Sequence, residues 1–178
     1  MSEGHDDAGH ASFELKPISR DAIPRAIQKA ERYRLLNQSW AAESICLDIL
    51  EIDPDNQQVL VMLVLALTDL HSGVAASGVI RAREYLARLR DDYQRAYYTG
   101  VVAERRGQAL LVNGGMGSGA MAYDSLREAM SWYEKAEAIR PPGNDDSILR
   151  WNTCARVLSG NSHLAPGPDT GYEPALED

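Results

Sequence analysis

The glycine-rich run NGGMGSGAM, at residues 113–121, is the stretch of this chain whose composition best suits binding chemistry. Glycines let backbone N–H groups approach an anion closely, as in phosphate-binding loops. A P-loop also needs Gly-Lys-Ser/Thr opening a helix after a strand, and a dinucleotide fingerprint needs a preceding strand. The run has no lysine, and no strand pattern precedes it. We therefore interpret residues 113–119 as a flexible inter-helix loop, with a partner-contacting loop or a nucleotide site as alternatives.

Asp145 and Asp146 are paired carboxylates close to Arg140, an arrangement that can serve acid–base catalysis. They also follow Pro141-Pro142, where one helix is predicted to stop and another to begin. Asp and Asn side chains at such a position accept hydrogen bonds from the free N–H groups of the first turn and complement the helix dipole. We interpret these two carboxylates as parts of a helix cap.

The four histidines do not form a recognisable site. His71 and His163 have no nearby Ser, Cys or Asp in a nucleophilic arrangement. His5 and His10 could bind a metal with the aspartates between them, but two histidines without a rigid frame make a poor site. The sequence has no H-E-x-x-H motif and no closely spaced cysteine pair. It predicts no catalytic residue, no metal and no cofactor.

The two cysteines, Cys46 and Cys154, fall on the apolar faces of predicted helices. Free cysteine behaves as a small buried hydrophobe in such positions. A disulfide framework would need more cysteines and a secretory context. We expect both thiols to be reduced and to lie in the core.

Arginine is concentrated between residues 81 and 106, and Glu84, Asp91, Asp92 and Glu104 are interleaved with it. Alternating charge of this kind is typical of a solvated, salt-bridged face. Contact with an acidic peptide is the alternative. The arginines are Arg81, Arg83, Arg88, Arg90, Arg95, Arg105 and Arg106.

Length and composition indicate one soluble domain. The chain has 178 residues, of which 44% are hydrophobic and 25% charged, which is ordinary for a globular protein with a proper core. The net charge of −8 argues against nucleic acid as a partner. No run approaches the roughly 20 apolar residues of a membrane span. The acidic, polar N-terminus is not a signal peptide, so we expect no membrane partner and a cytoplasmic location.

The elements around these residues are helices. Ala and Leu dominate the composition, which favours helix over sheet. In residues 21–36 apolar side chains recur at three- and four-residue steps, and Pro24 suits a first turn. Ser39 can cap the helix that follows. Residues 121–158 read as a helix, a stop at Pro141-Pro142, and a second helix.

Two segments share one pattern of spacing. A small residue is followed by residues four, three and five positions on, and the last is a proline. The first set is Ala42, Cys46, Ile49 and Pro54, and the second is Ala129, Tyr133, Ala136 and Pro141. Gly100, Ala103 and Gly107 repeat the three-and-four spacing of Ala30, Tyr33 and Asn37. An internal repeat is therefore predicted.

These patterns resemble tetratricopeptide repeats, which are helix–turn–helix units of about 34 residues. In that family small residues sit where two helices cross, an aromatic fills the gap and a proline ends the second helix. The resemblance covers about residues 22–158, although the middle unit, 57–91, lacks the proline. Lys29 and Asn37 also depart from the usual pattern. The matching residues are Ala30, Tyr33, Ala42, Pro54, Gly100, Gly107, Ala129, Tyr133, Ala136 and Pro141.

The resemblance implies an all-α superhelix of about seven helices, as three degenerate hairpins and a C-terminal capping helix. Pro54 and Pro141 are 87 residues apart, which is 19 more than two standard repeats of about 34 residues. We expect the excess to form loops at residues 71–78 and 113–119. The expected organisation is a disordered tail over 1–20, the repeat domain over 21–158 and a disordered tail over 159–178.

The resemblance also implies a non-catalytic module that binds another protein or a peptide segment in a concave groove, as an adaptor, scaffold or assembly or chaperone-type accessory factor. The alternatives are a structural subunit that forms a homodimer or docks onto a larger enzyme, and a small-ligand binder built on residues 113–119. The residues placed in the groove are Ile27, Glu31, Arg34, Leu65, Asp69, Tyr97, Val101, Glu104, Arg105, Asn152 and Arg156.

Overall fold

The computed structural model of the chain describes residues 13–69 and 75–167, with the side chains of residues 75 and 76 excepted. Within those ranges the regular structure is helical throughout and includes no strand, so the fold is all-α. A short 3-10 helix, Arg20–Ala22, precedes the first α-helix. The α-helices are α1 Ile23–Leu35, α2 Ser39–Ile52, α3 Gln57–Thr68, α4 Ala75–Leu86, α5 Asp92–Asn113, α6 Ser118–Ala138 and α7 Asp146–Gly160.

Each helix packs against the next one in the chain, with the α5–α6 pair in the most extensive contact. Helix α3 also contacts α1 and α5, whereas direct contacts between α5 and α7 are few at most. Direct contacts among the even-numbered helices α2, α4 and α6 are few at most. The stack therefore holds together through consecutive pairs and through the contacts of α3 with α1 and α5.

Helix α5 joins two hydrophobic clusters. The first is built by α1 to α4 and includes Val102 of α5, while the second is built by α5, α6 and α7 and includes Val101 and Ala103. Tyr98 packs against both clusters. Consecutive residues of a helix point to different sides, and residues 101–103 of α5 are buried in one cluster or the other. At this level α5 is therefore buried on all sides.

The small residues singled out by spacing do lie at close helix crossings. Ala30, Ala42, Ala129 and Ala136 are fully buried. A Cβ added at Gly100 would come within 2.6 Å of the Tyr133 ring. Nothing larger than hydrogen fits at that point, so the α5–α6 approach depends on the glycine.

The expected loop at 71–78 is wrong at its C-terminal end, because residues 75–78 form the first turn of α4. Residues 70–74 lie outside the described part of the chain. Gly78 is buried, and a Cβ added there would lie 2.1 Å from the Leu67 carbonyl oxygen. The glycine that looked like a loop residue is the close-crossing residue of the α3–α4 pair.

The expected loop at 113–119 is also shorter than predicted. Helix α5 continues to Asn113 and α6 begins at Ser118, which leaves only residues 114–117 between them. The extra residues lengthen the two helices, so that α5, with 22 residues, is about 33 Å long at 1.5 Å per residue. Pairing with α6 buries the added turns, which stabilises helix over loop.

The middle pair repeats the four-, three- and five-residue spacing through Gly78, Ala82, Tyr85 and Arg90. Arg90 stands where the other two pairs have proline. Its backbone N–H donates to Gln57 Oε1 at 2.8 Å, and its guanidinium lies 2.6 Å from Asp55 Oδ2. A proline has no N–H to donate, which explains its absence at this turn.

The ends of the chain are partly packed. Residues 13–19 are not helical, and Ile18 packs against the first cluster. At the other end α7 extends to Gly160 and is followed by Leu164, which is buried in the second cluster. The packed part of the chain therefore continues past the predicted boundary at 158. The expected tails otherwise fall on residues 1–12 and 168–178, which lie outside the described residues.

Candidate functional site

An ion-pair chain links α1, the end of α3 and α5. Arg34 Nε lies 3.4 Å from Asp69 Oδ2, and Arg105 Nη1 lies 3.0 Å from Asp69 Oδ1. The three side chains are 22%, 17% and 16% exposed, respectively. Water screens such half-buried charges less than surface charges, so the geometry is held more firmly than in an exposed pair.

Polar groups around Asp69 fix this chain in place. Ser39 Oγ donates to Asp69 Oδ2 at 3.0 Å. Arg105 Nη1 also donates to the Leu65 carbonyl at 2.7 Å and to Thr68 Oγ1 at 2.9 Å. The last carbonyls of a helix have no partner within it, so a cation at the end of α3 is favourable. Burial lowers the pKa of Arg105, and Asp69 opposes this shift.

A second network surrounds Glu104, whose side chain is almost completely buried. Tyr133 Oη donates to Glu104 Oε2 at 2.6 Å, Gln108 Nε2 donates to Oε1 at 2.9 Å, and Arg150 Nη1 donates to Oε1 at 3.1 Å. A buried carboxylate is tolerated only when it is paired and hydrogen-bonded in this way. Burial, and then Glu104, raise the pKa of Tyr133, so its hydroxyl stays a donor.

Arg150 connects this buried network to the surface. Its side chain is 38% exposed, whereas that of Glu104 is 2% exposed. Burial acts to lower the pKa of Arg150, but Glu104, Tyr133 and a hydrogen bond with Tyr97 raise it above its usual value. The guanidinium is therefore a permanent charge that ties α7 to α5.

Tyr133 of the second network belongs to a cluster of four tyrosines. The Tyr97 ring stacks on Tyr93 at 5.9 Å, meets Tyr98 edge-on at 5.1 Å and lies 5.9 Å from Tyr133. Such arrangements are the favourable ones for aromatic pairs. Tyr93, Tyr97 and Tyr98 are half-buried, so each keeps part of its ring in solvent. Tyr93 Oη also donates to Asn144 Oδ1 at 3.0 Å.

The side chains of these networks and tyrosines that reach the surface are Arg34, Asp69, Tyr93, Tyr97, Tyr98, Arg105 and Arg150. We call the surface that they form the odd-helix face, since they come from α1, α5, α7 and the end of α3. Of the residues placed in the groove from the sequence, four lie in it: Arg34, Asp69, Tyr97 and Arg105. Leu65 is half-buried against the second cluster and contributes its carbonyl. Ile27 is half-buried against the first cluster, Asn152 is half-buried, and Glu31 and Arg156 are exposed.

Val101 and Glu104 lie beneath this face instead of on it, and each is 1% exposed. The reason is that α5 is covered by helices from both clusters, so few of its residues reach solvent. Their side chains shape and charge the face from below. They offer almost no surface to a partner.

Sequence reasoning missed Arg150, Tyr93 and Tyr98. Arg150 is three residues after Ser147 and four before Cys154, both of which are fully buried. That spacing placed it at the edge of the buried stripe of α7. Tyr93 and Tyr97 are one helical turn apart, and an aromatic pair at this spacing on a helix that is otherwise buried was the available signal.

The glycines of residues 114–117 are explained by backbone geometry. Gly114, Gly115 and Gly117 have φ values of 64°, 120° and 78°, which L side chains rarely adopt. A Cβ at any of them would meet no atom within 4 Å, so the turn is open to solvent. The positive φ values of this tight turn are therefore sufficient to explain its glycines.

The interpretation of the two aspartates as capping side chains is wrong for Asp145, and it is Asn144 Oδ1 that accepts from the Asp146 N–H, at 3.0 Å. Asp145 caps no helix through its side chain and lies 3.4 Å from Arg140 Nε. Ser39 likewise makes no cap hydrogen bond, because it is the first residue of α2 and Gln38 holds the cap position; its hydroxyl donates to Asp69. Asn144, Asp145 and Ser39 therefore form bonds that stabilise the fold of the chain itself.

Most of the arginines between 81 and 106 form exposed contacts, as interpreted from the sequence. Arg81 lies 2.6 Å from Glu43, Arg83 lies 3.5 Å from Glu128, and Arg95 pairs with Asp92. Arg105 is the exception, because it belongs to the odd-helix face.

No set of three or more His, Cys, Asp and Glu side chains in 13–69 and 75–167 is arranged to hold a metal ion. None of the helices in these ranges is long and apolar enough to cross a bilayer. Comparisons of the chain with protein-family models, with curated proteins and with solved structures found no match.

Proposed function

We propose that this chain is a non-catalytic protein–protein interaction module, a degenerate tetratricopeptide-like array that binds a protein segment on the odd-helix face. It would serve as an adaptor, scaffold or accessory factor in the cytoplasm. The observation that carries the proposal is the row of fixed arginines, Arg34, Arg105 and Arg150, with half-buried tyrosines between them.

The chemistry of this face supports a peptide ligand. Arg and Tyr are enriched at protein interfaces, and buried anchors of these types contribute most to binding free energy. The arginines are held in place by Asp69 and Glu104 before any ligand arrives. Because the side chains lose little further entropy on binding, such preorganisation strengthens the complex.

The packing of the repeat-signature residues supports the tetratricopeptide-like part of the proposal. Tyr133 is fully buried against Gly100, and Leu126 lies 3.0 Å from a Cβ built at Gly107. Contacts of α3 with α1 and α5 make the odd-numbered helices the tighter layer. Closer packing on the side of α1, α3 and α5 supports the odd-helix face as the concave side of the stack.

The test is affinity capture with the native chain and with Tyr97→Ala and Arg34→Ala. We expect a captured protein to be lost with both variants, because each removes an anchor from the face. Arg106→Ala is the matched control, since Arg106 is exposed and sits next to Arg105. Thermal melts establish that each variant is folded. Folded Tyr97 and Arg34 variants that keep every partner would overturn the proposal.

A second candidate function is self-association, favoured by an apolar patch at the α1–α2 turn. Leu35, Leu36 and Trp40 are 78%, 57% and 76% exposed there. Exposed apolar clusters of this kind often mark interaction sites. Sedimentation of the purified chain tests it: a dimer that becomes a monomer in Trp40→Ser supports a structural subunit that associates through this patch, and a monomer throughout contradicts it.

The remaining alternative, a small-ligand or nucleotide binder built on residues 113–119, has no further support from the open turn at 114–117. We expect nucleotides and divalent metals to leave the melting temperature unchanged in a thermal-shift screen.

A further inference from the structure

The net negative charge of this chain lies mostly at its two ends. Residues 1–12 and 168–178 contain seven of the 26 acidic residues and none of the 18 basic ones, so residues 13–167 carry a net charge of only −1. The segment 168–178, PDTGYEPALED, carries four carboxylates together with Tyr172 and Leu176. This composition is complementary to a surface of arginines and tyrosines.

The three arginines of the odd-helix face have donors left for such a segment. A guanidinium has five N–H groups. In the hydrogen bonds and ion pairs described above, Arg34 uses Nε toward Asp69, Arg105 uses Nη1, and Arg150 uses Nη1 toward Glu104 and also bonds Tyr97. Asp69 and Glu104 are two acids beneath three arginines, so the five groups have a net positive charge.

The described chain ends beside the N-terminal end of α6, the helix that packs against α5. Gly167 lies beside Ala120 of α6, with 3.7 Å between a Cβ built at Gly167 and that of Ala120. Ala122, two residues on, has its carbonyl oxygen 3.3 Å from a Cβ built at Gly107, which is two residues from Arg105. Eleven further residues span up to about 36 Å when extended, so they can reach Arg105 and its neighbours.

We propose that residues 168–178 bind across the odd-helix face, with their carboxylates on Arg34, Arg105 and Arg150. This inference deepens the proposed function and rests on it. It names the ligand class as an extended acidic segment, and it makes the chain's own C-terminal residues the occupant of the face in the isolated protein. A partner segment then has to displace them.

The test compares the full chain with a chain ending at Gly167, using the fluorescently labelled peptide PDTGYEPALED as the probe. A tethered segment competes at an effective concentration on the order of 1 mM. If the free peptide binds with a Kd of about 0.1 mM, it should therefore bind the full chain roughly tenfold more weakly than the shortened one. Deletion of residues 1–12 is the matched control and should leave the affinity unchanged.

Charge variants of the shortened chain and of the peptide locate the contact. Arg34→Gln and Arg150→Lys should weaken peptide binding at least severalfold, whereas Arg106→Gln should not. Arg34→Gln leaves Asp69 bonded to Arg105 and Ser39, so the fold keeps its local support. A peptide with Asn and Gln in place of its four acids should not bind, and added salt should weaken the native peptide.

Equal affinity for the full and shortened chains overturns the inference, as does binding that is indifferent to Arg34 and Arg150. Those results leave the proposed function standing if a captured partner still depends on Tyr97 and Arg34. Conversely, the proposed function fails alone if the peptide binds as expected but no partner depends on the face.

Discussion

At the scale of single residues, Gly78 has the least room for a side chain among the glycines in the described part of the molecule. A methyl group added there would lie 2.1 Å from a backbone oxygen, that of Leu67, which cannot rotate away as a side chain could. Overpacking of this kind costs about 1–3 kcal/mol, and the helix propensity gained by alanine, at most about 1 kcal/mol, offsets only part.

We therefore expect Gly78→Ala to lower the free energy of unfolding by about 2 kcal/mol in urea titrations. The control is Gly160→Ala at the last turn of α7, where an added Cβ meets nothing within 4 Å. That change should be neutral or stabilise by up to about 1 kcal/mol. Equal effects of the two substitutions would show that α3 and α4 do not cross closely at Gly78.

The two thiols give a prediction that depends on pH. Burial raises the pKa of Cys46 and of Cys154 to about 12, from 9.0. At pH 8 both should therefore be protonated, and neither should react with Ellman's reagent until urea unfolds the chain. Since the folded-state pKa exceeds the unfolded one, their contribution to stability is complete below pH 9 and is lost as pH rises toward 12. Rapid labelling of either thiol in the native chain would contradict this burial.

Burial could be predicted for residues that recur at the period of a helix. It could not be predicted for a residue whose burial depends on a partner from a distant helix. The spacing of Ala129, Tyr133 and Ala136 sufficed to place them inside, and all three are fully buried. Glu104 reads as a surface residue because its partners, Tyr133 and Arg150, lie 29 and 46 residues further on. A buried charge is stabilised by those partners, and one-dimensional spacing does not contain them.

At the scale of elements, the turn between α4 and α5 shows that one pair can depart from the residue pattern that the other two pairs share. Arg90 occupies the proline position of the other pairs, yet its N–H is bonded to Gln57 Oε1. We expect Arg90→Pro to destabilise the chain by about 1–2 kcal/mol, because it removes that donor as well as the ion pair with Asp55.

Arg90→Ala separates the two contributions of this residue. It keeps the N–H and removes only the ion pair with Asp55, whose side chains are 70% and 66% exposed. Such an exposed pair contributes about 0–1 kcal/mol. If urea titrations find proline no worse than alanine at this position, the hydrogen bond to Gln57 does not determine the residue.

The existence and order of the helices could be predicted from sequence, and the lengths of two of them could not. Apolar period, proline stops and capping residues indicated helices on both sides of residues 113–119, and they are there. The glycines suggested a longer loop, because glycine propensity is a local signal. Leu126 packing over Gly107 in the paired helix outweighs that signal and extends the helices to Asn113 and Ser118.

At the scale of the whole molecule, α5 makes the two clusters interdependent. Tyr98 packs against both, and Val102 completes the cluster built by α1 to α4. We therefore expect a single unfolding transition in urea. Far-UV circular dichroism follows all seven helices, and tryptophan emission follows mainly Trp132 and Trp151 of α6 and α7. The two curves should coincide, and separate midpoints would show that the clusters unfold independently.

The candidate site also contains some residues that could be predicted from sequence and others whose roles depend on contacts between distant helices. The resemblance to tetratricopeptide repeats sufficed to group Arg34, Asp69, Tyr97 and Arg105, and ion pairs to Asp69 bring Arg34 and Arg105 together. Arg150 could not be predicted, since its role depends on a side-chain bond to Glu104, 46 residues earlier in the chain. Its bond to Glu104 exists only after the second cluster has formed.

The long hairpin of α5 and α6 ends in Met116, which is fully solvent-exposed at the tip of an open turn. Whole helical turns can be added to both arms there without disturbing the rest of the stack, so this is the place where the protein can accept a fused reporter domain or vary in size. A fluorescent protein inserted between Gly115 and Gly117 would be held at the end of this helical hairpin. Its orientation would then report changes in the tilt of the helices on ligand binding.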